Sequence, residues 1–473
     1  MTVFDGIKTT TTNTTITVTD PETIFAATNT ICFSTAGNFT GCPAGATQVT
    51  TSNFVTALSG YQGATRRLLF KRGETFTAAT AASITSTGPG IIGAFGVGAA
   101  PIVQMTGSSA ILNLSSNATP TISDWRVMDL ELDGLSQQAS IGVQGFGGMS
   151  KVTMLRLNIH DVGEGFTFSL STLDFFNSDG NPGHAGHALW DQIAIVDSSV
   201  QRVIQNPGGN GVFLSAQRFS LLGNFIDDST LAEHIVRLPM IVQGVISNNT
   251  LSNQAPLKTI LKLHGPTWCA AGSAVVNGLC STKSPGYTVG VLPSGIGGDA
   301  GGYTEKVVIS DNKLLSSDGT DWTVNTGPQN AQSDERLRDI IVERNWFIPG
   351  NTTSAALVIN AARETVRNNI CIIVNDGACL RVEMRGYGPT SVEPPPTDVA
   401  VYNNTFYTAS AVSFTGVRVG VGAISTVIKN NLGYAPSGTG TPTVINDFGT
   451  STVGAAGSMG NSSDAQVKNT SPS

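Results

Sequence analysis

The chain has 473 residues, of which 54 are Gly, 40% are hydrophobic and only 12% are charged. That is enough apolar material for a large core and too little charge for a disordered polyelectrolyte. A formal charge of −7, from 26 basic and 33 acidic residues, excludes the basic stripe of a nucleic-acid-binding surface, and no apolar run reaches the length of a membrane span.

From the N-terminus, Met1-Thr2-Val3-Phe4 has no basic segment followed by an apolar core. The six cysteines fall into sequence-local pairs, Cys32 with Cys42, Cys269 with Cys280 and Cys371 with Cys379, and none has the tight spacing of a zinc or redox site. Three loop-stapling disulfides are expected, and with them a secreted, periplasmic or extracellular protein whose leader has been removed. Residues 1–74, with a Thr-rich start and the lead-in from Arg66 to Phe76, read as an N-terminal cap.

Residues 75–435 carry a short alternating pattern with a central Asn. It is seen in FSLLGNFI at Phe219, GVISNNTL at Gly244, VVISDNKL at Val307, IIVERNWF at Ile340, TVRNNICI at Thr365, AVYNNTFY at Ala400 and TVIKNNLGY at Thr426. The Asn residues are 224, 249, 312, 345, 369, 404 and 431, and the shorter separations between them are 24, 25 and 27 residues. Weaker copies without the Asn begin at Arg126, Thr153 and Gln192. Period-two alternation in a repeat near 25 residues predicts an all-β right-handed parallel β-helix of about ten turns with loop insertions. Asn suits its corners because it stacks in hydrogen-bonded ladders and tolerates left-handed backbone. A propeller would need a longer repeat, and a sandwich would show no fixed one. Residues 436–473, rich in Gly, Ser and Thr, are expected to cover the last turn.

The repeat register locates the chemistry. Arg237 and Lys262 each stand thirteen residues beyond a corner Asn, so they should stack on adjacent turns at the strand spacing, with Val236 over Leu261 and Leu238 over Leu263 facing inward. Two stacked cations repel unless a polyanion lies across them. Glu233, His234 and His264 are close in sequence, as are Asp227 and Asp228; the plain alternative is a solvated basic face. Arg381, Glu383 and Arg385 alternate along another strand, and His160 follows a strand end; these and His234 are candidate substrate contacts. The stretch from Asn177 to Trp190, with His184 and His187, reads as a long loop.

At these residues the sequence resembles the β-helical polysaccharide lyases of the pectate-lyase-like superfamily, most closely the chondroitinase B and alginate lyase type. There a strand carrying Glu and a catalytic Lys is followed one turn later by Arg-His-Gly. Glu233 and Arg237 match the first strand, and Lys262, His264 and Gly265 match the second, with Lys and Arg exchanged and Leu263 between cation and histidine. The resemblance implies a monomeric secreted lyase acting on an acidic polysaccharide by β-elimination, and a Ca²⁺ site that only Glu233 matches. Within that chemistry Arg237 suits the carboxylate fork and Lys262 the base, with the exchanged roles as the second choice; His264 either donates the proton or orients the sugar, and Glu233 holds either Arg237 or the Ca²⁺ ion. Two other classes remain. One is a polygalacturonase-like hydrolase using Asp179, Asp227, Asp228 and His264-Gly265; the other is a non-catalytic adhesin or fibre.

Overall fold

The computed structural model describes residues 2–4, 9–11, 20–116, 122–147, 149–168, 191–205, 208–229, 232–265, 275–276, 279–280, 304–317, 322–328, 335–350, 354–384, 393–435, 442–447 and 462–463. Cys269, Asp179, His184, His187 and Arg385 lie outside these, as does the side chain of Cys280. The expected Cys269–Cys280 bridge is therefore outside the described residues.

Alternation of one inward and one outward residue leaves each short strand with a single apolar row, which it can bury only against equivalent strands. The chain does this by coiling into a parallel β-helix with three strands per turn. On the first sheet Phe219, Gly244, Val307 and Ile340 are successive partners. On the second, the row runs Phe225, Thr250, Lys313, Trp346, Ile370, Thr405 and Leu432. On the third it runs Phe213, Arg237, Lys262, Asn325, Val358, Arg381 and Arg418. Inside, Leu221, Ile246, Ile309, Val342, Val366, Val401 and Ile428 form one continuous fully buried stack.

The ladder extends past both expected boundaries. Thr30–Ser34 pairs in parallel with Arg66–Lys71, which pairs with Gly90–Phe95, so the coil begins within the segment read as a cap. A helix, Phe54–Tyr61, closes its end: Asn53 caps it by accepting from the Thr56 amide, and Phe54, Ala57 and Leu58 are buried. Phe54 and Phe76 both pack on Phe70, at 4.8 and 4.9 Å between ring centroids. At the other end Pro442–Asp447 adds a strand to Phe414–Val419. Disulfides join Cys32 to Cys42 and Cys371 to Cys379. Among the described residues no helix is long and apolar enough to cross a membrane.

The Asn residues stack as the repeat predicts. Asn249 receives both the backbone N–H and the side-chain Nδ2 of Asn224 on its Oδ1, at 2.9 Å each, and in turn donates to Asn312 and to the Leu221 carbonyl. The same pattern continues through Asn345, Asn369, Asn404 and Asn431. Above Asn224, whose Oδ1 accepts from the Ser198 amide, Ser198 takes the ladder position with its hydroxyl. The left-handed backbone, however, falls on the residue before each ladder Asn: Asn248, Asp311, Arg344, Asn368, Asn403 and Asn430 have φ of 50 to 59°. The ladder Asn therefore serves through its side chain and not through backbone tolerance. Thr326 is among the buried positions that depart from the apolar rule: it donates to the carboxyl group of Glu364, whose pKa burial pushes up to about 8.

Candidate active site

Arg237 and Lys262 are partners in register, on the strands Val236–Ser247 and Leu261–Leu263, with Val236 over Leu261 and Leu238 over Leu263 fully buried beneath them. Both cations thus leave the same outer face on consecutive coils, about 4.8 Å apart along the ladder. Phe213, one coil earlier in the row, places its ring 5.5 Å from the Arg237 guanidinium, which favours a cation over it.

His264 joins the pair. Its backbone amide continues the ladder by donating to the Leu238 carbonyl, which puts its ring two residues along from Lys262 on the same face. Arg237 Nε donates to His264 Nε2 at 3.2 Å, and on the far side His264 Nδ1 lies 3.0 Å from Glu335 Oε2. The tautomer follows: Nε2 accepts from arginine, so Nδ1 carries the proton toward the carboxylate. Burial lowers the His264 pKa, Glu335 acts to raise it, and Arg237 and Lys262 lower it further. The net effect is a neutral imidazole at neutral pH. Arg237 is also lowered by burial, against the raising fields of Glu233 and Glu335.

Glu335 was invisible in the sequence pattern. It stands just before the strand Leu337–Glu343, on the other side of a long insertion, and meets the site only because the chain returns there. Gly265 permits that approach. A Cβ at this position would lie 2.6 Å from the Arg336 carbonyl oxygen and 2.7 Å from its nitrogen, so only glycine admits the backbone that carries Glu335 inward.

Glu233 and His234 belong to the corner before the strand, not to the strand itself as expected. Glu233 Oε1 receives Lys258 Nζ at 2.5 Å, so its partner is Lys258 and not Arg237. His234 Nδ1 accepts from the Thr259 amide at 2.8 Å. Burial first, then the charges of Lys262, Arg237 and Lys258, hold His234 well below the ordinary imidazole pKa. At Glu233 the Lys258 ammonium occupies one carboxylate oxygen, and among the described residues Glu233 belongs to no group of three or more potential metal ligands, short of the six to eight oxygens a calcium ion takes.

The other expected contacts are dispersed. Arg381 and Glu383 do share the outer face of the third sheet, where they pair with each other and Glu383 also meets Arg418 at 3.3 Å. They stand three strand spacings from Lys262, about 14 Å. His160 lies on the second sheet, in the row of Asp133, Gln201 and Asp227. Asp133, His160 and Asp161 bring ligand atoms together, yet both oxygens of Asp161 are taken by the Arg202 fork at 2.8 and 2.7 Å, which already supplies the counter-charge. Asp227 likewise faces away from the site and accepts from Ser252 and Asn253.

No protein-family model and no curated protein sequence matches the chain. Among solved structures, it is similar to the Azotobacter vinelandii mannuronan C-5 epimerase AlgE4 A-module, at 12% identity and a TM-score of 0.48, over 85% of this chain and 93% of that one. It is also similar to a GH136 lacto-N-biosidase from Eubacterium ramulus, at 10% identity and a TM-score of 0.42, over 92% and 67%. A third similar structure is an alginate lyase from Paenibacillus sp. str. FPU-7, at 12% identity and a TM-score of 0.33, over 84% and 95%.

Proposed function

We propose that the protein is a secreted polysaccharide lyase that cleaves a uronic-acid-containing chain by β-elimination on the outer face of the third sheet. The observation that carries this reading is the Glu335–His264–Arg237 chain beside Lys262, which assembles a carboxylate fork, a base and a proton donor on two consecutive coils. Export is supported by the two disulfides.

In this mechanism the Arg237 guanidinium takes the sugar carboxylate as a fork, which stabilises the charge that develops as the C5 proton leaves. Doing so releases Nε2 of His264. That nitrogen, neutral through burial and backed by Glu335, removes the C5 proton. The electron pair of the C5–H bond forms the C4–C5 double bond as the bond from C4 to the glycosidic oxygen breaks. Lys262 gives the departing oxygen its proton. The sequence suggested the reverse assignment, with Lys262 as base and His264 as donor. A buried imidazole whose Nδ1 proton faces a carboxylate is better placed to accept a proton than to supply one.

Incubation with alginate, pectate, glucuronan, chondroitin sulfate and dermatan sulfate tests the proposal. A lyase produces the ultraviolet absorbance of an unsaturated uronate with at least one of them. New reducing ends without that absorbance identify a hydrolase instead, and binding without cleavage identifies an adhesin.

A further inference from the structure

The first sheet carries a row of long polar side chains on a different wall of the coil from Arg237 and Lys262. Ser150 pairs with Asp191, Ile193 with Phe219, Arg218 with Gln243 and Gly244 with Val307. That register puts Lys151, Gln192, Arg218, Gln243 and Lys306 in line on five consecutive coils, and all five are exposed. Cation and amide alternate along the line, so the cations recur every second coil, about 9.6 Å apart. Asp124 and Asp339 take the same position on the coils beyond either end, which limits the stretch to these five.

Beside the line runs a groove of about 430 Å³, with Gln192, Arg218, Gln243 and Lys306 as its rim. Its floor is the neighbouring outward row, Ala194, Ser220, Val245 and Val308, whose side chains are short and uncharged. Val245, in the middle, is 39% exposed. The rim is basic in balance. Arg218 is held by Asp191, and Lys306 shares Glu305 with Arg338. The side chains of Arg218 and Lys306 are 53% and 52% exposed, whereas those of Asp191 and Glu305 are 16% and 0% exposed, so the positive ends face solvent and the negative ones do not. Counting Lys151, four cations stand against two carboxylates, a local excess of positive charge on a chain whose formal charge is −7.

We propose that this row and its groove form a second, non-catalytic binding track for a linear polyuronate whose 1,4-linkages are equatorial at both ends, laid along the ladder. Such a chain is a flat ribbon. It advances close to one strand spacing per sugar and turns its carboxylates to the same edge at every second sugar, which is the interval at which Lys151, Arg218 and Lys306 recur. Gln192 and Gln243 fall at the sugars between, where an amide both donates to and accepts from hydroxyls. The C–H faces of the rings rest on the uncharged floor. A chain with axial linkages is buckled and shorter per sugar, so its carboxylates drift out of step with the coils. The track stands on the first sheet alone and is independent of the lyase reading.

The test is affinity electrophoresis of the full chain at low ionic strength, in gels containing β-1,4-glucuronan, polymannuronate, polygalacturonate or hydroxyethyl cellulose, the last being an uncharged equatorial ribbon. Arg237→Ala is run beside wild type to separate this track from the site on the third sheet. Glucuronan or polymannuronate should retard both proteins, polygalacturonate should retard them less, and hydroxyethyl cellulose should leave them unretarded. Lys151→Glu combined with Lys306→Gln should weaken the retardation by at least about fivefold, and by more at low salt than at high. Val245→Glu, which places an acid on the floor, should do the same, with the β-sheet circular dichroism of both variants unchanged. No retardation by either equatorial polyuronate, equal retardation by polygalacturonate or by hydroxyethyl cellulose, or track variants that bind like wild type would overturn the proposal. So would sedimentation of the wild type as a dimer that Val245→Glu dissociates, because the groove would then be a contact between copies. The release of an unsaturated product is scored separately. A protein that shows this binding pattern yet releases none keeps the track and loses the lyase; one that releases it while the track variants bind normally does the reverse.

Discussion

Arg237 on one coil donates to His264 on the next, Nε to Nε2 at 3.2 Å, and thereby holds the imidazole in the tautomer that faces Glu335. In the proposed mechanism the same nitrogen that anchors the arginine accepts the C5 proton, so substrate carboxylate and histidine compete for one guanidinium and binding uncovers the base.

If that competition is the mechanism, His264→Ala and Lys262→Ala should each reduce turnover by roughly a hundred- to ten-thousand-fold while leaving the β-sheet circular dichroism unchanged. Arg237→Lys keeps the charge but loses the fork, which both binds the carboxylate and stabilises the developing charge, so KM should rise and kcat should fall. Steady-state kinetics on whichever uronate is cleaved, followed by ultraviolet absorbance, provide the check. Wild-type rates in the His264 variant would remove it from the mechanism.

In the proposed mechanism Glu335 positions His264, and the signature of that role is a pH profile. Glu335 raises the His264 pKa, so Glu335→Gln should lower it. Because His264 acts in its neutral form, activity rises with pH through that pKa. The acidic limb of kcat/KM should then move to lower pH, along with at least about a tenfold fall in kcat from the loosened ring. A variant with reduced activity and an unmoved limb would mean that the carboxylate only supports the fold.

Glu364 makes a prediction about stability. Its folded pKa of about 8 exceeds the ordinary glutamate value of 4.5. Between those values the folded protein keeps a proton that the unfolded chain has released, so stability falls as pH rises from 4.5 to 8, by an amount on the order of several kcal/mol in the limit. Below 4.5 both states hold the proton and the penalty is absent. Glu364→Gln should flatten the decline, as read from urea midpoints at pH 5 and pH 8. Parallel curves for the two proteins would rule out the assignment.

The Asn ladder can be tested at its middle. Asn312 exchanges bonds with Asn249 above and Asn345 below, and it is 1% exposed. Asn312→Ala leaves both neighbours' polar groups buried and short of a partner. It should cost about 1–3 kcal/mol for each group left unsatisfied, measured by chemical denaturation. A smaller effect than that of an exposed control in ordinary strand backbone such as Gln243→Ala would contradict the ladder's structural role.

The strand repeat, the Asn stack and the pairing of Arg237 with Lys262 were all legible in the sequence, because in a solenoid the period converts sequence offset directly into position in space. Every residue on the same row inherits its neighbours from that arithmetic. The relation fails where the period is broken. Glu335 follows an insertion and reaches His264 across a corner, so no offset announces it; only the close passage of the Arg336 backbone over Gly265 brings it in. Corner residues escape the alternation rule too, which is why Glu233 turns to Lys258 instead of to the strand's cations. The row from Lys151 to Lys306 is hidden in the same way, since long stretches of chain separate Lys151 from Gln192 and Gln243 from Lys306, and only the strand pairing across them brings the five side chains into line.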